Sequence, residues 1–192
     1  MNFFVATVFT FSASFALAGF FIEPSIGYKT ESIKFTDLTN SKTEIRATQP
    51  SLGLKLGYRS AIGIDLNLGG EVSSGNASIT SQTETNKFSH KVGTVQLGVN
   101  ALGLVKMYLG TAFLNEFNLE DSASLPGFKL NGPSFHAGLQ YKLFSFMNLG
   151  LQYTLNQYNT IEGVAYTTGT KSETYFNKID AQDYSFYLST SF

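Results

Sequence analysis

The last ten residues, Asp183-Tyr-Ser-Phe-Tyr-Leu-Ser-Thr-Ser-Phe192, alternate without a break. Tyr184, Phe186, Leu188, Thr190 and Phe192 share one face of a strand, and Asp183, Ser185, Tyr187, Ser189 and Ser191 share the other. A soluble edge strand can carry such a pattern. A strand that is apolar outside and polar inside, ending the chain on an aromatic residue, fits better as the closing strand of a barrel surrounded by lipid.

The alternation recurs. Period-two segments run over residues 19–30, 46–58, 62–74, 88–101, 105–117, 133–143, 147–159 and 179–192. All exceed the five or six residues of an average soluble strand. All suffice for a tilted bilayer crossing, which takes about 9–11 residues. Charged residues make up only 14% of the chain and the mean hydropathy is near zero, yet past the N-terminus no apolar run is long enough for a membrane helix. Strands that are apolar on one side only produce this combination. The absence of cysteine removes disulfide, zinc-thiolate and lipid-anchor readings. A net charge of −1 gives no electrostatic reason to invoke nucleic acid.

Phe3 to Leu17 is apolar or small, and Ala16-Leu17-Ala18 has the form of a signal-peptidase site. Residues 1–18 therefore read as a secretory signal and residues 19–192 as one domain, although no Lys or Arg precedes the apolar run. The connections between segments alternate in length. Glu31–Ile45, Gly75–Lys87, Asn118–Gly132 and Thr160–Lys178 are long, whereas Arg59-Ser60-Ala61, Leu102-Gly103-Leu104 and Phe144-Ser145-Phe146 are short. The expected fold is all-β: a closed, antiparallel, eight-stranded transmembrane barrel with long extracellular loops and short periplasmic turns.

The alternation also assigns faces. Outward positions such as Leu52, Leu54, Leu56 and Leu66 are nearly free of charge. The exceptions by parity, Arg46, Lys91 and Asp180, fall at the presumed extracellular strand ends. The inward positions collect Glu23, Lys29, Lys55, Arg59, Asp65, Glu71, Lys106, Glu116, Lys142 and Asp183, balanced in sign. Charges removed from bulk water require partners, and eight strands enclose an interior just wide enough for side chains to fill. A three-residue turn at Arg59-Ser60-Ala61 would set Lys55 opposite Asp65. The same rule over Leu102-Gly103-Leu104 sets Asn100 opposite Lys106 and Gly98 opposite Tyr108.

The terminal aromatic residue, with Tyr184, Phe186 and Leu188 before it, resembles the C-terminal assembly signal of bacterial outer-membrane barrels. With the eight-strand plan and the charged lumen, the mature chain resembles the small barrels of the OmpA/OmpX type, without the peptidoglycan-binding domain that some of them append. The resemblance implies a monomer in the bacterial outer membrane, contacting lipid and recognised by the barrel-assembly machinery through its last strand.

No short motif fixes an activity. Ser134-Phe135-His136 has the reverse order of the His-x-Ser pair a lipid A deacylase would need, and both side chains point inward. His136 reads as a hydrogen-bonding lumen residue and His90 as a loop-edge residue. Asn76-Ala77-Ser78 is a chance sequon. No metal, cofactor or catalytic residue is expected. The leading role is structural or surface-interacting, through the loops and any extracellular ligand they bind; the loop aromatics Phe35, Phe128, Tyr166, Tyr175 and Phe176 read as packing on the barrel rim or dipping into the interface in preference to contacting a partner. A narrow pore for ions or small solutes is the alternative, and a lipid-modifying enzyme a second.

Overall fold

The computed structural model describes residues 19–37, 42–60, 62–79, 85–101, 104–121, 127–162 and 176–192. The proposed signal, residues 1–18, lies outside them. Ten strands form in order: β1 (Phe20–Asp37), β2 (Lys42–Arg59), β3 (Ile64–Ile79), β4 (Thr85–Ala101), β5 (Val105–Leu119), β6 (Phe128–Asn131), β7 (Ser134–Lys142), β8 (Met147–Gln157), β9 (Thr160–Glu162) and β10 (Phe176–Thr190). Every pairing is antiparallel, and the ring runs β1-β2-β3-β4-β5-β7-β8-β10 and back to β1. It is a closed barrel of eight strands. The short β6 and β9 carry the lines of β7 and β8 upward, β6 pairing with β5 and β9 with β6. Pro133, which has no N–H to give a ladder, marks the break between β6 and β7. Its carbonyl still accepts from the Gln157 N–H at 2.9 Å.

Closure uses the chain's last residues. Ser189 lies opposite Ser25, and Phe192 exchanges backbone hydrogen bonds of 3.2 and 3.3 Å with Ile22. Tyr184, Phe186 and Leu188 point out of the wall, while Ser185, Tyr187 and Ser189 point in. The end holding Gly19, Phe192 and the short turns is called lower here, and the opposite end upper.

The outward apolar positions form a continuous belt over residues 20–28 of β1, 52–58 of β2, 64–72 of β3, 95–99 of β4, 105–114 of β5, 135–141 of β7, 149–155 of β8 and 184–188 of β10. Leu52, Leu66, Leu97, Leu109, Leu139, Leu151 and Phe186 are all at least half exposed. An exposed apolar band of this extent is far larger than the patches a soluble monomer tolerates.

Most of the strands do not stop at the belt. β1 and β2 have 18 residues each, β4 has 17 and β3 has 16. Two of the expected long loops are thus largely wall and a third is partly so: only residues 38–41, 80–84 and 120–127 separate β1 from β2, β3 from β4 and β5 from β6. The upper wall reverses polarity. Along β1, Thr30, Ser32, Lys34 and Thr36 face outward, while Ile33 and Phe35 are buried inside. There Ile33, Phe35, Ile45, Ala47, Ala77, Phe88, Phe117, Leu119, Phe128, Leu130, Tyr158, Ile179 and Ala181 form one apolar cluster. Phe88 stacks on Phe117 with centroids 5.2 Å apart, and Phe35 meets Phe128 edge-on at 5.8 Å. Phe35 and Phe128 therefore belong to this interior and are not exposed loop aromatics. Tyr166 and Tyr175 lie outside the described residues, and Phe176 begins β10.

Two register details depart from the expected ones. The first short turn is centred on Ile62 and not on Ser60, a four-residue change of register, so Arg59 lies opposite Asp65 and Lys55 opposite Gly69. Ser60 N–H donates to the Ile64 carbonyl at 2.8 Å, and Gly63 takes φ +81°, a left-handed conformation that glycine adopts without a Cβ clash. In the second, a bulge in β5 shifts pairing between Gly93/Leu114 and Thr94/Ala112. The extra residue flips parity above it: Lys106 and Tyr108 face in below the bulge, and Asn115, Phe117 and Leu119 face in above it. The register over Leu102-Gly103-Leu104 is as expected, Asn100 opposite Lys106 and Gly98 opposite Tyr108.

Candidate functional site in the barrel interior

The lower interior is an ionic layer built on two buried carboxylates. Asp65 accepts a forked pair of bonds from Arg59 (2.8 and 3.0 Å), a bond from Asn100 (3.0 Å) and a contact from Lys106 (3.0 Å). Two parallel N–H···O bonds fix both planes, which a Lys at 59 could not do. Glu23 accepts from Gln140 at 2.8 Å, with Lys55 at 3.9 Å and Lys106 at 4.0 Å. Phe21 floors this layer, its ring under Arg59 and Lys106 at 5.3 and 5.1 Å.

Above it sits an aromatic layer. The Tyr108 and Tyr187 hydroxyls meet at 2.9 Å, and Tyr108 donates to Gln152 at 3.1 Å. Lys55 Nζ lies over both rings at 4.8 and 5.0 Å. The room comes from the facing strands: Tyr108 lies opposite Gly138 and Tyr187 opposite Gly150, and a Cβ at either glycine would fall into the tyrosine ring. A cavity of about 30 Å³ remains above, among Lys29, Lys55, Glu71, Gln96, His136 and Tyr187, enough for about two waters.

The upper ionic layer crosses the whole lumen. Lys29 Nζ lies 3.1 Å from Asp183 and 3.5 Å from Glu71. Asn156 donates to Asp183 at 3.0 Å and to Glu31 at 3.5 Å, and Tyr158 donates to Glu31 at 2.9 Å. His90 places Nδ1 3.0 Å from Glu31 and Nε2 2.7 Å from the Asn115 side-chain oxygen. Asn115 in turn donates to Asn156 at 3.2 Å. Burial pushes the Glu31 carboxyl up, but His90, Lys29 and the Tyr158 hydroxyl together hold it below the usual carboxylate range. Burial and the Glu31 charge push the Tyr158 phenol well above its ordinary value.

Eight of the ten expected lumen residues thus meet inside, in two groups: Glu23, Lys55, Arg59, Asp65 and Lys106 below, and Lys29, Glu71 and Asp183 above. Glu116 does not. The β5 bulge turns it to the outer wall, where it pairs with Lys129 at 2.8 Å. Lys142 does not join either; it stands exposed at the lower rim, at the end of β7. Lys55 pairs with Glu23, not Asp65, for the register reason above. Glu31 and His90, read as a loop residue and a loop-edge residue, are fully buried partners. Their signal lay in the sequence: alternation continues through Glu31-Ser-Ile-Lys-Phe and Asn86-Lys-Phe-Ser-His90, with apolar and polar faces exchanged.

The solved structures with this architecture are membrane proteins. Neisserial surface protein A superposes with TM-score 0.56 at 15% identity, covering 91% of this chain and 98% of that one. The attachment invasion locus protein Ail of Yersinia pestis gives 0.56 at 13%, covering 90% and 98%. Outer membrane protein OprG of Pseudomonas aeruginosa gives 0.53 at 14%, covering 91% and 96%. This chain has the fold of the small eight-stranded outer-membrane barrels. No family model matches the sequence, and no curated sequence matches it. At these identities the likeness carries the fold, so the role has to come from the interior and the walls.

Proposed function

We propose that this protein is a bacterial outer-membrane barrel whose interior is closed, and that its role is structural or surface-interacting. One observation carries the reading: the lumen is crossed at four successive levels, by the Asp65/Glu23 ionic layer, the Tyr108–Tyr187 layer, the Lys29–Asp183–His90 layer and the apolar cluster. Side chains paired across the lumen occupy the path a hydrated ion would take, and a packed apolar cluster resists wetting. Specific contacts then fall to the upper outer wall and the residues joining its strands. The attachment invasion locus protein has been solved with a heparin analogue, so this fold can present a ligand-binding surface. In this reading the lower end faces the periplasm, lipid covers the belt, the barrel is monomeric, and the assembly machinery reads the strand that ends at Phe192.

Planar-bilayer recording on the refolded protein tests closure. The expected result is little or no steady conductance at neutral pH; large, reproducible openings would favour the pore reading. Membrane insertion is tested separately. A closed strand ladder leaves no edge from which to unzip, so the unboiled protein should stay folded in SDS and shift mobility on boiling. Equal mobility before and after boiling, with solubility in the absence of detergent, would end the membrane reading.

A further inference from the structure

The described interior holds five carboxylates (Glu23, Glu31, Asp65, Glu71 and Asp183) against four permanent cations (Lys29, Lys55, Arg59 and Lys106). Uncompensated buried charge is costly; of the two interior histidines, His136 lines the small cavity with Lys55 and Glu71, whereas His90 touches a carboxylate directly. The local geometry agrees. Both ring nitrogens face oxygens, Nδ1 the Glu31 carboxylate at 3.0 Å and Nε2 the Asn115 side-chain oxygen at 2.7 Å. A lone pair on Nε2 would meet an acceptor, and a neutral Nδ1 would stand 3.0 Å from a carboxylate oxygen with no hydrogen bond between them.

The amides cannot turn to relieve that. Asn115 uses its NH2 on the Asn156 oxygen, and Asn156 uses its NH2 on Asp183 and Glu31. Flipping Asn115 would set two amide oxygens against each other, and flipping Asn156 would set its oxygen against two carboxylates. The orientation is dictated from the carboxylate end and leaves an acceptor at His90 Nε2.

We propose that His90, carried as an imidazolium, latches the upper half of the barrel, and that its deprotonation loosens the apolar cluster from the ionic layer beneath. The ring sits at that seam: its edge meets Phe117 at 5.9 Å, and Phe117 stacks on Phe88. The ionisable groups around it come from each neighbouring wall: Glu31 and Lys29 on β1, Glu71 on β3, Tyr158 after β8 and Asp183 on β10. Loss of its proton leaves the fully buried Glu31 and Asp183 with Lys29 as their nearest cation, while Glu71 is shared between Lys29 and Lys55.

The test uses the whole barrel folded in detergent micelles with ¹⁵N-labelled histidine. The chain has two histidines, and the ring signals lost in His90→Gln identify this one. The expected spectrum at pH 7 shows both His90 nitrogens protonated. As pH rises through the ring's deprotonation, amide protection over residues 31–35, 86–90 and 179–183 should fall about ten-fold or more relative to the belt. His90→Gln should show the lower protection at every pH. A neutral imidazole at pH 7 overturns the proposal and moves the proton to a carboxylate such as Asp183. Deprotonation without loss of protection also overturns it. If His90→Gln does not fold, the unaltered protein still decides, because Glu31→Gln then identifies the ring by the shift of its signals.

Discussion

The lower and upper halves of this barrel are made of the same strands with opposite instructions. Around the belt, β1 turns Ile26 and Tyr28 outward and Glu23 and Lys29 inward; six residues higher it turns Ser32 and Lys34 outward and Ile33 and Phe35 inward. The lower half has an inverted polarity, with charges paired inside and hydrocarbon outside, as lipid requires. The upper half is organised like a small water-soluble β-barrel, with its own apolar core. The hydrogen-bonded ladder runs through both, with local breaks at Pro133, at the β5 bulge and at Gln49–Pro50 between β2 and β3. Backbone pairing is therefore indifferent to the solvent, and the side chains alone state where lipid ends and water begins. The Lys29–Asp183–His90 layer lies at the changeover, where neither lipid nor apolar packing supplies the interior contacts.

The sharpest way to break this comparison is to remove apolar volume from the upper interior. Phe117→Ala should destabilise the protein by about 3–5 kcal/mol, since a buried ring leaves both a lost transfer term and a cavity. Urea titration of the barrel in lipid vesicles measures this. A loss under about 1 kcal/mol would mean that the cluster is not a packed core.

The outer wall gives the next largest contrast. Leu151→Arg, within the belt, should cost about 2–4 kcal/mol in vesicles, whereas Thr48→Arg, above it, should stay within about 0.5 kcal/mol. Similar costs at both positions would misplace the boundary of the belt.

The lower ionic layer can be tested for its register. Arg59→Ala and Asp65→Ala should show a coupling of about 0.5–2 kcal/mol in a double-mutant cycle, kept modest because Arg59 is partly solvated. Lys55→Ala with Asp65→Ala should couple less. Stronger coupling for the Lys55 pair would restore a first turn centred on Ser60.

The smallest effect concerns acid. Glu31 is held below the usual carboxylate range when folded, so the stability it contributes is present at neutral pH and is lost as pH falls through its folded value. The stability difference between the wild type and Glu31→Gln should be greatest near neutrality and shrink on acidification. A difference that grows towards acid would have the wrong sign and would remove Glu31 as the carboxylate that stays ionised.

Sequence by itself determined the class of fold. Period-two alternation over eight segments, apolar outward faces almost without charge, and the polar partner face of Asp183–Ser191 leave few structures other than a membrane barrel. Most lumen residues followed from parity alone, because a strand's faces alternate whatever the partner. Tertiary structure decided the rest, and for one physical reason: parity and register are conserved only while the ladder is regular. One extra residue at the β5 bulge moved Glu116 from the inside to the outside. A turn centred two residues later, closed at Gly63, gave Asp65 to Arg59 instead of Lys55. Above the belt the alternation never stopped but changed sign, so the upper part of β1 carrying Glu31 reads as a loop, and His90 as a loop edge, when apolar is equated with outward. Which face is wet is settled only when the ring closes and a segment's height relative to the belt is known.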